Sequence, residues 1–314
     1  MTTRRLLLAC LLFAPAVQAA DKLPPRPKII DTHIHIYQVT RPGGVPWPRP
    51  AQKQLYRDVL PQEYEALARP LGVIGVGIVE ASNRFEDNLD LLRRTKGNRF
   101  FRFLVANLEI GAPDFEKQLA QLARDPRVVG IRGFLWAPKI TLDDTQLAHL
   151  RALAERGMTL DLISRRNTNP KHQVLALASA VPQLRIIINH LGGAQGETPS
   201  AEWTADMKRL AALPNVYMKF SSFFDLWNAS GAEDKGWQSP KEVARYKPHF
   251  DVLMQSFGAD RLIWASNWPV SELGGSFADQ IAIAETYLSP LGAAVRDKVM
   301  YRNAERVYRR VPPP

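Results

Sequence analysis

The chain is almost devoid of cysteine. Cys10 is the single cysteine among 314 residues, and it lies in the N-terminal segment that is interpreted below as a cleaved leader. The mature protein therefore has no disulfide and no thiol nucleophile, and its stability must come from a sizeable apolar core. Long apolar runs are also scarce, since no stretch after the leader approaches the roughly 20 uncharged residues that span a bilayer. We expect a soluble mature chain without a membrane segment.

The N-terminus has the organisation of a secretory signal peptide. Arg4 and Arg5 precede an apolar run at 6–17, and small residues follow, with a predicted cleavage after Ala19. We therefore predict a signal peptide at 1–19 and a periplasmic or secreted protein. The paired arginines leave the twin-arginine route and the general secretory route both open.

Strong clusters of basic charge are missing too. The net charge is +10, and it falls to +8 when the two arginines of the leader are removed, but basic residues are interleaved with acidic ones along the whole chain. This distribution argues against nucleic-acid binding and is compatible with a small anionic substrate. The oligomeric state stays open, a homo-oligomer included.

The mature chain does contain an eightfold alternation of short apolar runs and amphipathic stretches. The runs are rich in Ile, Val and Leu, as expected for parallel strands that are covered on both sides. They lie at 28–36, 73–81, 101–107, 128–134, 158–163, 184–190, 216–221 and 262–266. The alternation favours a closed TIM-type (β/α)₈ barrel over an open doubly wound sheet, which would carry a Gly-rich phosphate loop after its first strand. We predict a single α/β barrel domain at 20–314.

Two of the helices have clear boundaries in the sequence. The segment TLDD at 141–144 is a capping signal, and Gly157 is placed to end the helix that follows it. Asp114 opens another helix, in which one apolar stripe is formed by Phe115, Leu119 and Leu122.

Two long segments interrupt the alternation, one at 37–60 after the first strand and one at 223–247 after the seventh. Loops that follow barrel strands line the face where barrel enzymes work, so we expect both segments at the mouth. An inert surface insertion is the alternative for each.

The first strand carries the sharpest chemical signal. Side chains alternate along a strand, so Asp31, His33 and His35 are predicted to share one face, which in a barrel is the interior. Two imidazoles at this spacing can converge on one metal ion or one substrate group. Packing alone is a poor explanation for two histidines on the inward face of a strand that is otherwise rich in isoleucine.

Several motifs along the chain resemble those of the amidohydrolase superfamily, and the resemblance implies a (β/α)₈ barrel. They are IDTHIH at 30–35, VEAS at 79–82, GIR at 130–132, INHLGG at 188–193 and FGADRLIWASNWPV at 257–270. The branch that the chain resembles is the amidohydrolase-related (amidohydrolase 2) group, which includes sugar lactonases and pyrone dicarboxylate lactonases. The resemblance covers essentially the whole mature chain.

The resemblance implies that His33, His35 and His190 are catalytic. They would either ligate one divalent cation such as Zn²⁺, with an open fourth position for water, or polarise the substrate carbonyl directly without a cofactor. Both alternatives stay open. The aspartate that serves as general base in the family is replaced here by Asn267, and an amide cannot accept a proton at neutral pH. The fifth strand also lacks the histidine of many family members.

Another group must then activate water. Glu80, at the end of the second strand, is the preferred candidate because barrels place catalytic residues there. A salt bridge or a helix cap is the alternative role for Glu80. Glu109 and Asp161 are the other candidate bases, and Asp161 is expected to orient its neighbours instead.

Basic and aromatic residues near strand ends are candidates for substrate binding. Arg132 and Arg165 can each bind a carboxylate in bidentate fashion, and Lys219 is a third candidate. The apolar walls on which a ring could stack are predicted to be Trp47, Trp136 and Trp268.

Three histidines lie outside the motifs. His149 falls on the helix face opposite Leu147 and is predicted to be exposed, and His249 belongs to the helix before the eighth strand. His172 follows the fifth strand and is expected near the mouth.

The sequence thus predicts an exported hydrolase that opens a lactone or similar cyclic ester of a small sugar-derived or carboxylated substrate. One alternative is non-oxidative decarboxylation of an aromatic acid. Another is a non-catalytic small-molecule binding barrel, since Asn267 replaces the usual aspartate.

Overall fold

Eight parallel strands form one sheet whose spatial order follows the chain. The computed structural model describes residues 28–133, 142–163, 171–228 and 236–311. The strands are β1 (Ile29–Ile34), β2 (Val73–Val79), β3 (Phe101–Asn107), β4 (Val128–Gly133), β5 (Thr159–Leu162), β6 (Arg185–Ile188), β7 (Val216–Phe220) and β8 (Leu262–Trp264). The sheet closes where Ile34 pairs in parallel with Trp268, and His35 N–H donates to Trp268 O at 2.8 Å. The predicted (β/α)₈ barrel is confirmed.

Helices connect the strands and cover the outside of the barrel. They are α1 (Pro61–Ala68), α2 (Phe85–Arg94), α3 (Phe115–Leu122), α4 (Asp144–Glu155), α5 (Lys171–Ala180), α6 (Ala201–Ala211), α7 (Lys247–Phe257), α8 (Phe277–Leu288), α9 (Ala293–Asp297) and α10 (Asn303–Val307). No helix in the described ranges is both long and apolar enough to cross a membrane.

The two predicted helix boundaries are confirmed. The Asp143 carboxylate accepts the N–H of Gln146 at 2.8 Å at the start of α4, and Gly157 follows the helix with φ of 63°, a left-handed conformation that glycine adopts without strain. In α3 the predicted apolar stripe is buried, with Asp114 at the N-cap position. Local sequence therefore decides where these helices begin and end.

Several apolar runs continue one or two residues past the hydrogen-bonded strand. The extra residues include His35, Glu80 and His190, which lie where the chain leaves the sheet. Beyond the strands the backbone takes conformations that a strand does not allow, such as the positive φ of His190. This departure from the sheet places the chemical side chains at the barrel mouth.

Two apolar layers hold the barrel together. The larger layer lies between strands and helices. The smaller one fills the interior with Ile30, Val79, Phe103, Val105, Val129, Ile187 and Ile263, and joins Ala304, Val307 and Tyr308 of the C-terminal segment. Asn303 Nδ2 donates to Leu262 O and Arg185 donates to Val307 O, so α10 covers the N-terminal ends of the strands. The barrel is thereby closed at the face opposite the histidines.

The loop at 37–60 follows β1 and is held against α2. Arg41 forms an ion pair with Asp87 of α2 at 2.6 Å, and Arg84 donates to the carbonyls of Gly43 and Gly44. Trp47 of this loop reaches the histidines, as described below, so the first of the two predicted mouth segments lies at the mouth.

Candidate active site

Three histidines converge at the mouth of the barrel. His33 and His35 come from the end of β1, and their Nε2 atoms are 3.3 Å apart. His190 follows β6, and the centroid of its ring is 4.6 Å from that of His33. His33 and His35 are buried, whereas His190 is partly exposed. The three rings predicted from two distant motifs thus form one cluster with access to solvent.

Each imidazole is oriented by a contact at Nδ1. His35 Nδ1 lies 2.8 Å from Val79 O, which can only accept, so this nitrogen carries the proton and Nε2 is free to accept or ligate. His190 Nδ1 lies 2.9 Å from the hydroxyl oxygen of Ser222 and 3.2 Å from that of Ser221. Both serines follow β7 without any recognisable motif, and sequence reasoning missed them.

The site keeps its histidines neutral. Burial lowers the pKa of all three, to about 3 for His35 and well below the usual range for His33 and His190. Positive charges contribute to these lowered pKa values, chiefly Lys219 for His33 and Arg132 for the other two. Neutral imidazoles can bind a metal, accept a proton or donate a hydrogen bond.

Asn267 completes the cluster from the end of β8. Its N–H donates to His33 O at 2.9 Å, and its φ is 61°, in the left-handed region. Within the described ranges, the buried Oδ1 atom of Asn267 has no hydrogen-bond partner of normal geometry. The Asn267 side chain nevertheless lies near His35, where it raises the pKa of the imidazole slightly against the larger effect of burial. His190 and Ser222 also have positive φ. Strained backbone at three neighbouring strand ends is typical of a functional site.

Lys219 lies below the histidines and has no solvent-exposed surface. Its Nζ is 2.8 Å from Asp161 Oδ2, 2.9 Å from Thr32 O and 3.2 Å from His33 Nδ1. In this position the ammonium contacts protein groups rather than facing the mouth, in contrast to the direct substrate contact that we predicted. Asp161 is engaged in the same network, which agrees with the orienting role expected for it.

Glu80 lies beside the histidine cluster in a separate cleft between the 37–60 loop and α2, which is lined by Arg41, Trp47 and Asp87. Its Oε1 accepts the N–H of Ser82 at 2.6 Å. Burial, with a smaller contribution from the charge of Asp87, raises the pKa of Glu80 to about 7. The described geometry therefore gives Glu80 no contact with the histidines, and Glu109 lies exposed on the surface.

The other residues predicted to bind substrate do not all lie at the mouth. Arg132 is buried, donates to Glu80 O at 3.3 Å and lies close enough to influence the histidines. Trp47 packs edge-on against His35 at 5.3 Å between ring centroids. Trp268 has no exposed surface and packs against Tyr64 of α1, so it offers no face for stacking. Arg165 and Trp136 lie outside the described residues.

Asp31 does not share the face of the two histidines. Its carboxylate accepts hydrogen bonds from Tyr64 of α1 and from the hydroxyl and N–H of Ser266. The pairing of β1 with β2 has an irregularity between Asp31 and Ile34, which breaks the strict alternation of side chains. The predicted common face is therefore correct for His33 and His35 and wrong for Asp31.

The prediction for His149 was also wrong. This histidine is buried, stacks on Phe115 of α3 at 4.5 Å and places Nδ1 2.6 Å from Ile110 O. His249 lies in α7, as predicted, and is buried. The side chain of His172 lies outside the described part of the structure.

The histidines fit a divalent cation in their chemistry. Two nitrogens at roughly 2.1 Å from a tetrahedral zinc are about 3.4 Å apart, close to the 3.3 Å between His33 Nε2 and His35 Nε2. The same separation also suits a hydrogen bond between the two rings. Among the described residues no set of three His, Cys, Asp or Glu side chains is arranged as a complete metal site. The spacing and the neutral charge of His33 and His35 thus suit a shared cation, and His190 stays the predicted third ligand.

Comparison with known proteins identifies the family of the chain. Residues 30–310 match a family model described as Amidohydrolase. The chain is 32% identical over 290 residues to an L-fucono-1,5-lactonase of Burkholderia ambifaria, covering 89% of this chain and 95% of the relative. It is 24% identical over 297 residues to an L-fucono-1,5-lactonase of Burkholderia multivorans, with coverage of 89% and 95%. The chain therefore belongs to the amidohydrolase family.

The family assignment extends to the class of enzyme. A crystal structure of an amidohydrolase from Burkholderia multivorans with bound zinc has the same fold, with a TM-score of 0.78, 23% identity and coverage of 89% of this chain and 98% of that one. The predicted relation to the lactonase branch is confirmed, and the protein is a lactonase-like hydrolase.

Proposed function

We propose that the protein opens the ring ester of a small sugar-derived lactone by adding water to the carbonyl carbon. The observation that carries the proposal is the convergence of His33, His35 and His190 at the mouth, beside the positive charge of Arg132. The two relatives named as L-fucono-1,5-lactonases support a substrate of this class. Arg165 stays a predicted anchor for a carboxylate or hydroxyl group of the substrate.

The chain's own groups suit the reaction. In the cation-free site, His190 is the candidate base because it is the partly exposed histidine of the three, and its Nε2 is not used by Ser221 or Ser222. It would take a proton from the attacking water and return it to the ring oxygen when the C–O bond breaks. Arg132 would stabilise the oxyanion in a buried site. The product is a hydroxy acid.

A divalent cation, if bound by His33, His35 and His190, would polarise the carbonyl and lower the pKa of a bound water. Elemental analysis of protein purified without added metal decides whether such a cation is present. Assays before and after treatment with a chelator decide whether the activity depends on it.

The test is a panel of 1,5- and 1,4-lactones of sugar acids, including L-fucono-1,5-lactone, together with a pyrone dicarboxylate, followed with a pH indicator and corrected for spontaneous hydrolysis. We expect turnover of at least one lactone, and a loss of about 100-fold in His190→Ala. His149→Gln is the matched control, because His149 is a buried histidine between α3 and α4. Absence of turnover of every lactone, ester and amide would refute the proposal, and carbon dioxide release from an aromatic acid would indicate a decarboxylase.

We also propose that the protein is exported, on the basis of the leader predicted at 1–19. N-terminal sequencing of protein from a periplasmic fraction should start at residue 20. Intact protein that begins at Met1 in the cytoplasm would contradict this.

A further inference from the structure

A buried polar connection runs from the C-terminal segment to the histidines at the mouth. Tyr308 Oη donates to Asp161 Oδ2 at 2.8 Å, and the same oxygen lies 2.8 Å from Lys219 Nζ. Lys219 in turn donates to Thr32 O at 2.9 Å and lies 3.2 Å from His33 Nδ1. Tyr308, beneath the barrel, is thus linked to His33 at the mouth through two intervening side chains.

The contacts of Lys219 set the direction of the hydrogen bonds. An ammonium group has three hydrogens, and the three acceptors around Nζ account for all of them in a region without solvent. In the cation-free protein His33 Nδ1 therefore accepts, and the proton of the neutral ring lies on Nε2. That nitrogen faces His35 Nε2, while His35 Nδ1 donates to Val79 O. Each polar atom of the two rings then has a partner.

Burial of this ion pair costs free energy, and filling the barrel interior does not require it. A fully buried lysine–aspartate pair loses hydration, and apolar side chains of similar volume often fill such a space with equal or greater stability. Here Asp161 Oδ2 also accepts from Tyr308 and Oδ1 accepts from Thr159 Oγ1 at 3.5 Å. The Tyr308 ring is fixed by stacking on Phe103 at 4.5 Å between centroids. The tyrosine hydroxyl therefore has a defined position from which it orients Asp161.

We propose that Tyr308 is a positioning residue of the active site, which fixes the orientation and the tautomer of His33 through Asp161 and Lys219. Without the tyrosine hydroxyl, the Asp161 carboxylate attracts the ammonium more strongly and the contact between Lys219 and His33 weakens. The ring of His33 then loses the contact that holds its Nδ1. The kinetic part of the test rests on the proposed lactonase function, and the tautomer part does not.

The test compares two tyrosine-to-phenylalanine variants. Y308F removes the hydroxyl and keeps the ring that stacks on Phe103. Y287F is the matched control, because Tyr287 Oη donates to Asp251 at 3.0 Å between α8 and α7, outside the barrel. For Y308F we expect kcat to fall about 10-fold with KM nearly unchanged. In ¹⁵N-histidine spectra of chelator-treated protein, a Nδ1-protonated population of His33 should appear.

Y287F should change neither kcat nor the His33 tautomer, while losing a similar amount of thermal stability. D161N is the second variant: its amide attracts the ammonium less than the carboxylate does, so the Lys219–His33 contact should persist and the Nδ1-protonated population seen in Y308F should not appear. Wild-type kcat and an unchanged His33 tautomer in Y308F would overturn the proposal. If the wild-type protein hydrolyses no lactone, the proposed lactonase function is refuted and the positioning role of Tyr308 is not affected. An unchanged His33 tautomer in Y308F would overturn the positioning role in either case.

Discussion

Replacement of Glu80 by glutamine should make the protein more stable at alkaline pH. The Glu80 carboxyl is buried between the 37–60 loop and α2, and this burial is the main reason why its pKa rises from 4.5 to about 7. The neighbouring charge of Asp87 acts in the same direction, and the N–H of Ser82 only partly compensates. A glutamine side chain at this position would keep an acceptor for Ser82 and carry no charge.

The sign of the effect follows from proton binding. Between pH 4.5 and about 7 the folded state binds the Glu80 proton more tightly than the unfolded state, so the free energy of unfolding falls as pH rises through this window. Above pH 7 the loss is complete and amounts to about 3 kcal/mol, at 1.36 kcal/mol for each pKa unit. E80Q should therefore match the wild type near pH 4.5 and exceed it by up to about 3 kcal/mol at pH 8.

Urea unfolding of both proteins at several pH values between 4.5 and 8 measures this difference. Glu109→Gln is the control, because it makes the same chemical change at a position exposed on the surface. If E80Q and the wild type lose stability in parallel as pH rises, the carboxyl is hydrated in solution and the reasoning from burial is refuted.

Three further predictions concern the mouth and the interior. Asn267→Asp should speed lactone hydrolysis at pH 7 by at least about 10-fold, because a carboxylate beside His35 can accept a proton. An unchanged rate would show that position 267 does not contact the attacking water. Activity in the variant alone would identify the natural protein as a binding protein. Trp47→Ala should raise KM about 10-fold in steady-state assays, because the ring packs on His35 at the mouth, and a wild-type KM would contradict a role as a substrate wall. Gly77→Ala should lower the free energy of unfolding by about 3 kcal/mol in urea, since its Cβ would lie 1.9 Å from Cε2 of Phe103. A loss below about 1 kcal/mol would mean that Phe103 moves aside easily.

Much of the site could be predicted because the relevant patterns are local. The alternation along β1 put His33 and His35 on one face, and eight apolar runs in a regular order are compatible with few folds other than the barrel. Where the local sequence pattern and the tertiary contacts disagree, the tertiary contacts determine whether a side chain is buried. His149 occupies the polar side of α4 by its helical position, yet Phe115 of the neighbouring helix covers it.

Charged residues show the same limit. The sequence places Lys219 on the seventh strand and predicts a substrate contact, whereas the structure shows an internal ion pair. Its partner Asp161 and the Tyr308 that donates to Asp161 come from positions far apart in the chain, and only closure of the barrel brings the three side chains together. Asp31 likewise leaves the histidine face because β1 pairs irregularly with β2, a property of two strands together.

The amino-acid sequence alone predicted eight successive strands, two helix boundaries and the three histidines that meet at the mouth, because each follows from a motif that is local in the chain. The tertiary structure decided which charges are buried, which nitrogen of each imidazole faces the mouth and which predicted residues reach it. Burial and hydrogen-bond direction depend on groups contributed by other strands and helices, and a pattern read along one segment does not contain them.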